Sequence, residues 1–400
     1  MWETETYSLT DLGTVKRGRS RHRPRDDNSL YGGEYPFVQT GDIKRANFYL
    51  TKYTQTYNDK GLQQSKMWGK GTLCITIAAN IAETAILGIE ACFPDSIVGF
   101  IPYEDRADVR YIKYYFDIFK KQMQVLSLGA TQDNFSVEKM LSVKFIIPQL
   151  PTQNKIADIL SAYDDLIENN NCRIEILEQA VQQIYKEWFV RFRFPGYETT
   201  HFTKGIPDGW EVKSISQIAD ITDGTHDTPK PVDTGYYLVT GKHIIKDTID
   251  FSSAYYISEK DHIAISKRSG LERGNILFSN IGTIGSICII GDDTDFSVKN
   301  VIIIKPFNDE GTCFLYCLLK NTTTQEVFKQ QAGGSSQQFI ALGFMRKYKA
   351  LIPDSRVLEN FVVHVKPILN EKSVLQTKNL NLVKQRDQLR SRLMSGKLEI

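Results

Sequence analysis

The sequence predicts an α+β molecule made of two copies of one unit. Two pseudo-twofold-related α/β domains are joined by two long helices that form an antiparallel coiled coil. Three observations predict this: five segments that recur in the same order, strand-and-turn patterns over most of each copy, and a heptad seam closing each copy.

The recurrences come first. Trp2-Glu3 returns as Trp210-Glu211, and Phe37-Val38-Gln39-Thr40-Gly41 returns as Tyr237-Leu238-Val239-Thr240-Gly241. Lys70-Gly71-Thr72-Leu73 matches Arg273-Gly274-Asn275-Ile276, and Gly129-Ala130-Thr131-Gln132-Asp133-Asn134-Phe135 matches Gly333-Gly334-Ser335-Ser336-Gln337-Gln338-Phe339. Ile146-Ile147-Pro148 matches Leu351-Ile352-Pro353. The offset stays between 200 and 208 residues throughout. Two copies are too few for a solenoid, so the chain is read as a diverged duplication.

Within each copy, Gly71–Ile77, Ile276–Ser279 and Val298–Pro306 read as strands, bounded by Gly, Asn, Asp or Pro. Val109–Leu126 and Cys313–Gln330 read as helices. The mixture makes each globular part α+β.

The end of each copy carries the seam. Ile156, Leu160, Tyr163, Ile167, Asn170, Ile174, Leu177, Val181, Ile184 and Trp188 follow alternating steps of four and three. Thr152 offers a cap oxygen at the start, and Phe194-Pro195-Gly196 ends the run. In the second copy Phe361, Ile368, Leu375, Leu382 and Leu389 recur every seven residues, alternating with Val365, Lys372, Asn379, Arg386 and Leu393. Pro367 either kinks this helix or marks its start. Asn170, Asn379 and Lys372 are expected to fix register at some cost in stability. Each helix, at about 40 residues, would be roughly 60 Å long. Two such helices bury each other's apolar stripe; packing of each on its own domain is the alternative.

Composition bounds the function. The chain of 400 residues carries 49 Lys+Arg against 47 Asp+Glu, a net charge of +2, with 41% hydrophobic residues and a mean hydropathy of -0.30. These values fit a folded, water-soluble protein with sizeable cores. The longest apolar run, around Val301-Ile302-Ile303-Ile304, is too short to span a bilayer, and Met1-Trp2-Glu3-Thr4-Glu5 is acidic where a secretory signal would be basic. Six scattered cysteines suit reduced thiols in the cytoplasm, where the protein is expected. Cys313 and Cys317 have no second pair to complete a zinc site.

No enzyme signature is visible. A P-loop fails at Gly241-Lys242-His243, and no Gly-x-Ser-x-Gly elbow, HExxH pair or adjacent prolines of an amino-methyltransferase motif occur. Pro207-Asp208-Gly209-Trp210-Glu211-Val212-Lys213 has the letters of a nuclease site, but Asp208 and Glu211 stand too close to come from two strands. It reads as a turn into the second copy.

Binding features are richer. Lys16, Arg17, Arg19, Arg21, Arg23 and Arg25 put six positive charges in ten residues, with no acid among them. Guanidinium forks at that density suit phosphates and guanine edges, although a solvated basic loop has the same composition. The matching stretch from Thr222 to Lys230, with Thr225 and His226, is polar but not basic. The two copies are therefore expected to touch different chemistry with the same loop. Thr131, Gln132, Asn134, Ser335, Ser336, Gln337 and Gln338 supply groups that suit adenine edges and equally suit caps and turns. Thr40, Lys70, Lys242, His243, Ser279 and Asn280, in or just beyond the other recurring segments, complete the candidate DNA-binding set.

A domain, a long helix, a second domain and a second long helix resemble the DNA-specificity (S) subunit of type I restriction–modification systems. The matching segments are Pro207-Asp208-Gly209-Trp210-Glu211, the Ile-Pro motifs before each helix, and the closing Leu389-Arg390-Ser391-Arg392-Leu393-Met394-Ser395-Gly396-Lys397-Leu398. The resemblance implies a non-catalytic reader with target-recognition domains at 1–150 and 207–354, spacer helices at 151–192 and 355–400, and a linker at 193–206. Each domain would bind one half of a bipartite, asymmetric site on double-stranded DNA. The helices would set the spacing, at most roughly 18 base pairs, and dock two methylation subunits. A motor-nuclease subunit would join for cleavage. The resemblance implies no cofactor on this chain, with S-adenosylmethionine held by the methylation subunits, and no membrane partner. Alternatives are the reader of another restriction system with a fused methylase-nuclease, a protein scaffold that does not bind DNA, and an enzyme without a visible motif.

Overall fold

The structure, a computed structural model, describes residues 3–78, 81–128, 137–333 and 338–400. It divides into two compact units that cut across a consecutive division of the chain. The first comprises Met1–Asn171 with Thr377–Ile400, and the second Cys172–Gln376. Each long helix, Leu150–Tyr185 and Ser355–Met394, is therefore shared between the units.

In the first unit a five-stranded sheet has the order Gly13–Arg17, Ile97–Pro102, Leu73–Thr76, Thr84–Leu87, Tyr49–Leu50. A four-stranded sheet runs Gln55–Tyr57, Tyr31–Phe37, Ala91–Cys92, Met67–Trp68. The helix Val109–Leu128 turns Tyr111, Ile112, Tyr114, Tyr115 and Phe116 into the core beside Leu73, Ile75 and Phe100. Burying each such side chain contributes about 1.5–3 kcal/mol. The second unit repeats the scheme with a sheet of order Ala219–Asp223, Ile302–Pro306, Ile276–Phe278, Ile287–Ile289, and another of order Tyr255–Ile257, Tyr236–Val239, Phe296–Val298. In both, the opening strand pairs antiparallel with the strand just before a long helix: Thr4–Tyr7 with Phe145–Pro148, and Glu211–Ser214 with Lys349–Ile352. The duplication and the α+β class both stand.

The helices pair antiparallel inside each unit. In the first, Asp164 meets Arg386 and Asn170 donates to Asn379 at 2.8 Å. In the second, Arg173 meets Glu371 at 2.7 Å, Glu178 meets Lys372 at 2.6 Å, and the Trp188 ring lies 5.6 Å from that of Phe361. Every apolar seam position is buried or half-buried: Ile156, Leu160, Ile167, Val181, Trp188, Phe361, Val365, Leu375 and Leu393 fully, and Tyr163, Ile174, Leu177, Ile184, Ile368, Leu382 and Leu389 in part. The seam's ends do double duty. Ile156, Leu160 and Leu393 join the core of the first domain, and Val181, Trp188, Phe361 and Val365 that of the second.

Local expectations need correction at four places. The first helix begins at Leu150, and the carbonyl of Gln149 accepts from Thr152 and Gln153, so Thr152 lies inside the first turn rather than capping it. Pro367 neither starts nor stops the second helix. The carbonyl to which the proline can donate no N–H is that of Val363, an exposed residue, so water can reach it. The stretch Cys313–Gln330 is two helices, Asp309–Lys320 and Thr322–Gln331, because the Asn321 side chain accepts from Thr323 N–H and restarts the helix. Val298–Pro306 is likewise two strands, parted where Asn300 takes a left-handed φ of +52°.

Candidate nucleic-acid interface

One loop in each domain is expelled from the sheet by the same device. In the first domain the strand Gly13–Arg17 ends at Gly18, whose N–H donates to Ile97 O at 2.8 Å, and Arg19 N–H donates to Phe93 O at 3.0 Å. A Cβ at position 18 would sit 2.3 Å from the Pro94 carbonyl oxygen, so only glycine lets the chain pass this close. Beyond it, Gln64 accepts from the N–H groups of Arg21 and His22, and Ser65 donates to Arg19 O. In the second domain Gly224 does the same work. Thr225 N–H donates to Val298 O at 3.0 Å, and a Cβ at 224 would stand 2.2 Å from that oxygen.

The two loops differ in charge, one strongly basic and the other polar. Lys16, Arg17, Arg21, Arg23 and Arg25 are exposed, and Arg19 is half-buried. Arg25 holds Asp95 through two contacts of 2.7 and 2.8 Å, with Arg23 3.8 Å away. Lys16, Arg17 and Arg21 make no ion pair among the described residues. In the place of Arg17 the second domain has Asp223, which binds His226 at 2.7 Å and Arg268 at 2.6 Å. His226 also contacts Asn300 at 3.0 Å. Hydrogen bonds from the Ser29 backbone and hydroxyl hold Asp27, beside the first loop, at a pKa of about 2.

Thr40 joins the basic loop. With Arg25, Tyr31, Gln39 and Gln55 it lines a cleft of about 460 Å³, in which the Gln39 amide donates to Gln55 at 2.5 Å. The second domain gathers more of its predicted segments. Lys299 N–H donates to Val239 O, the Gly241 backbone closes on Ser279, Asn280 and Ile340 exchange bonds, and Gly282 N–H donates to Gln338 O. Exposed on these segments are His226, Lys230, Lys242, Gln338 and the 47% exposed Phe339.

Some predicted residues lie elsewhere. Ser279 is fully buried, and Thr225 and His243 are buried as well. They shape the loops from inside and offer no surface to a ligand. Burial, helped by Lys242, pushes the His243 pKa down. Lys70 is exposed at the opposite end of the strand Leu73–Thr76 from the one that reaches Ile97 beside the basic loop. Its counterpart Arg273 pairs with Asp292 next to the second long helix. Thr131, Gln132, Asn134, Ser335, Ser336 and Gln337 lie outside the described residues.

Sequence reasoning missed Gln39, Gln55, Arg268 and Asn300. Aligning Gly18 with Gly224 would have exposed the Arg17/Asp223 exchange; nothing local marks Arg268. Among the described residues no group of three or more His, Cys, Asp or Glu could hold a metal ion, and no helix is long and apolar enough to cross a membrane.

The pattern described as the type I restriction modification DNA specificity domain matches this chain twice, over residues 1–179 and 207–382. The MjaIX type I restriction enzyme specificity subunit of Methanocaldococcus jannaschii is 24% identical over 431 residues, covering 100% of this chain and 98% of that protein. The HindI specificity subunit of Haemophilus influenzae is 22% identical, with 100% of both chains covered. The crystal structure of a type I restriction–modification S subunit from M. genitalium has the same fold at 15% identity, with a TM-score of 0.60 over 98% of this chain and 96% of that one.

Proposed function

Because the chain belongs to the type I restriction–modification DNA specificity family, we propose that each of its domains reads one half of a bipartite, asymmetric site on double-stranded DNA. It is a specificity subunit, a recognition component and not the catalyst, and such subunits assemble with methylation and restriction subunits. In this reading two methylation subunits dock on the helices and hold S-adenosylmethionine, and motor-nuclease subunits join them. The helices set the distance between half-sites, and the complex works in the cytoplasm, away from any membrane.

The observation that carries the reading is the loop expelled past Gly18 in one domain and Gly224 in the other: one frame presenting different chemistry, basic in the first and polar in the second. In the first half, Lys16, Arg17, Arg19, Arg21 and Arg23 would neutralise phosphates while Arg25 and Thr40 line the cleft, and Thr131, Gln132 and Asn134 would complete the set. In the second, His226, Lys230, Lys242, Asn280 and Gln338 would contact DNA, joined by Ser335, Ser336 and Gln337. The test is to sequence modified bases in a host carrying the chain and in its deletion. Two dissimilar half-sites at fixed spacing, lost on deletion, are expected. A single contiguous motif, or none, overturns the reading.

A further inference from the structure

Away from these loops, each unit buries a tyrosine that ties its domain to the long helices. In the first unit Tyr114, on the helix Val109–Leu128, donates to Asp164 Oδ2 at 2.5 Å. Asp164, only 4% exposed on the first long helix, also binds Arg386 of the second. One turn further, Arg390 lies 3.4 Å from Asp117, which Lys113 holds at 2.9 Å.

The second unit has Tyr316 at the matching place on the helix Asp309–Lys320. Its hydroxyl donates to Asp247 Oδ2 at 2.8 Å and accepts from Lys372 Nζ at 2.7 Å. Lys372, itself 4% exposed, also reaches Asp247 at 2.5 Å and Glu178 at 2.6 Å, and Lys320 holds Asp247 at 2.8 Å. Asp247 is carried there by a hairpin, Ile244–Ile245 with Thr248–Ile249. Both turn residues, Lys246 and Asp247, take positive φ (+49° and +59°), as a tight two-residue hairpin requires. Beside it, Gln376 donates to Lys246 O at 2.8 Å.

Apolar contact between a domain and a helix is non-directional and tolerates small repacking. A buried charge network is not tolerant, because any rotation leaves a charge unpaired away from water. We propose that the Tyr114–Asp164–Arg386 and Tyr316–Asp247–Lys372 networks are positioning elements that fix the angle of each recognition domain on its helices, and so the half-site spacing the protein accepts. The proposal rests on the DNA-reading function above.

The test uses the chain assembled with its methylation subunits, acting on a library of random DNA whose modified sites are read by sequencing. Two variants remove the buried charges on both sides at once: Asp164→Asn with Arg386→Met, and Glu178→Gln and Asp247→Asn with Lys372→Met; Lys320, which loses a partner, is 27% exposed and so reaches water. The half-site motifs are expected to stay unchanged while sites one base pair longer or shorter rise by about tenfold relative to the native spacing. Unchanged spacing in both variants, whatever happens to their melting temperatures, overturns the proposal. If either variant fails to assemble, Tyr114→Phe and Tyr316→Phe decide by the same readout. A wild-type complex with no bipartite motif overturns the DNA-reading function, and the proposal with it.

Discussion

At the point where each recognition domain releases its loop, one copy has Arg17 and the other Asp223, each followed by a glycine pressed against a neighbouring carbonyl. The frame is kept because a Cβ will not fit there, while the flanking side chain differs: an exposed arginine in one copy and a half-buried, ion-paired aspartate in the other. In the first domain the exchange leaves Lys16, Arg17 and Arg21 open to an outside anion. In the second, Asp223 already engages His226 and Arg268. The comparison teaches that the duplication preserved the backbone device and diversified what it presents.

The basic loop of the first domain should supply most of the salt-sensitive grip. Replacing Lys16, Arg17 and Arg21 together by Gln should lower DNA affinity roughly a hundredfold and reduce the slope of log affinity against log salt by about 3. Replacing Lys230 and Lys242 in the second domain should reduce that slope by less than 2 or so. Equal losses, read by salt titration of fluorescent DNA, would mean that the domains do not differ as their loops suggest.

Next come the glycines, which test the shared part. Gly18→Ala and Gly224→Ala should each destabilise their own unit by about 1–3 kcal/mol through overpacking against Pro94 and Val298. Hydrogen exchange resolved by unit would show it, and a cost at only one of the two would deny that they play the same part. A smaller change sharpens the contrast from the other side. Asp223→Asn frees Arg268 and His226, so the second domain's salt slope should steepen by about one.

The smallest effect is on pH. Burial pushes the pKa of both His243 and His262 below the ordinary histidine value. A base whose folded pKa is depressed contributes stability above its unfolded pKa and loses it as pH falls below that value, here about 6.5. The second unit should therefore lose exchange protection between pH 7.5 and 5.5, and His243→Gln should reduce that dependence to the part His262 supplies.

Much of this was legible in the sequence. The five recurring segments imply the duplication, and seven-residue spacing places Ile167, Leu375 and their neighbours inside the helix pair, because periodicity records which face is buried. What buries that face was not legible: Trp188 and Leu393 lie in register with the seam yet complete globular cores. Nor does a sequence show that Ser279 is enclosed while Lys242 is not, since a polar residue beside a strand reads the same in either place. Breaks at Asn321 and Asn300 turn on single side-chain and backbone choices inside patterns that otherwise continue.

The first unit is closed by residues 377–400, and the whole second unit lies between its two parts in the chain. On the ribosome this reverses the order of completion. The second unit has all its segments once Gln376 emerges, whereas the first, begun earlier, waits for Leu389 and Leu393 to cover the cluster containing Ile156 and Leu160. Until then that apolar surface stands open, so a stalled or truncated chain would aggregate through the domain that was made first.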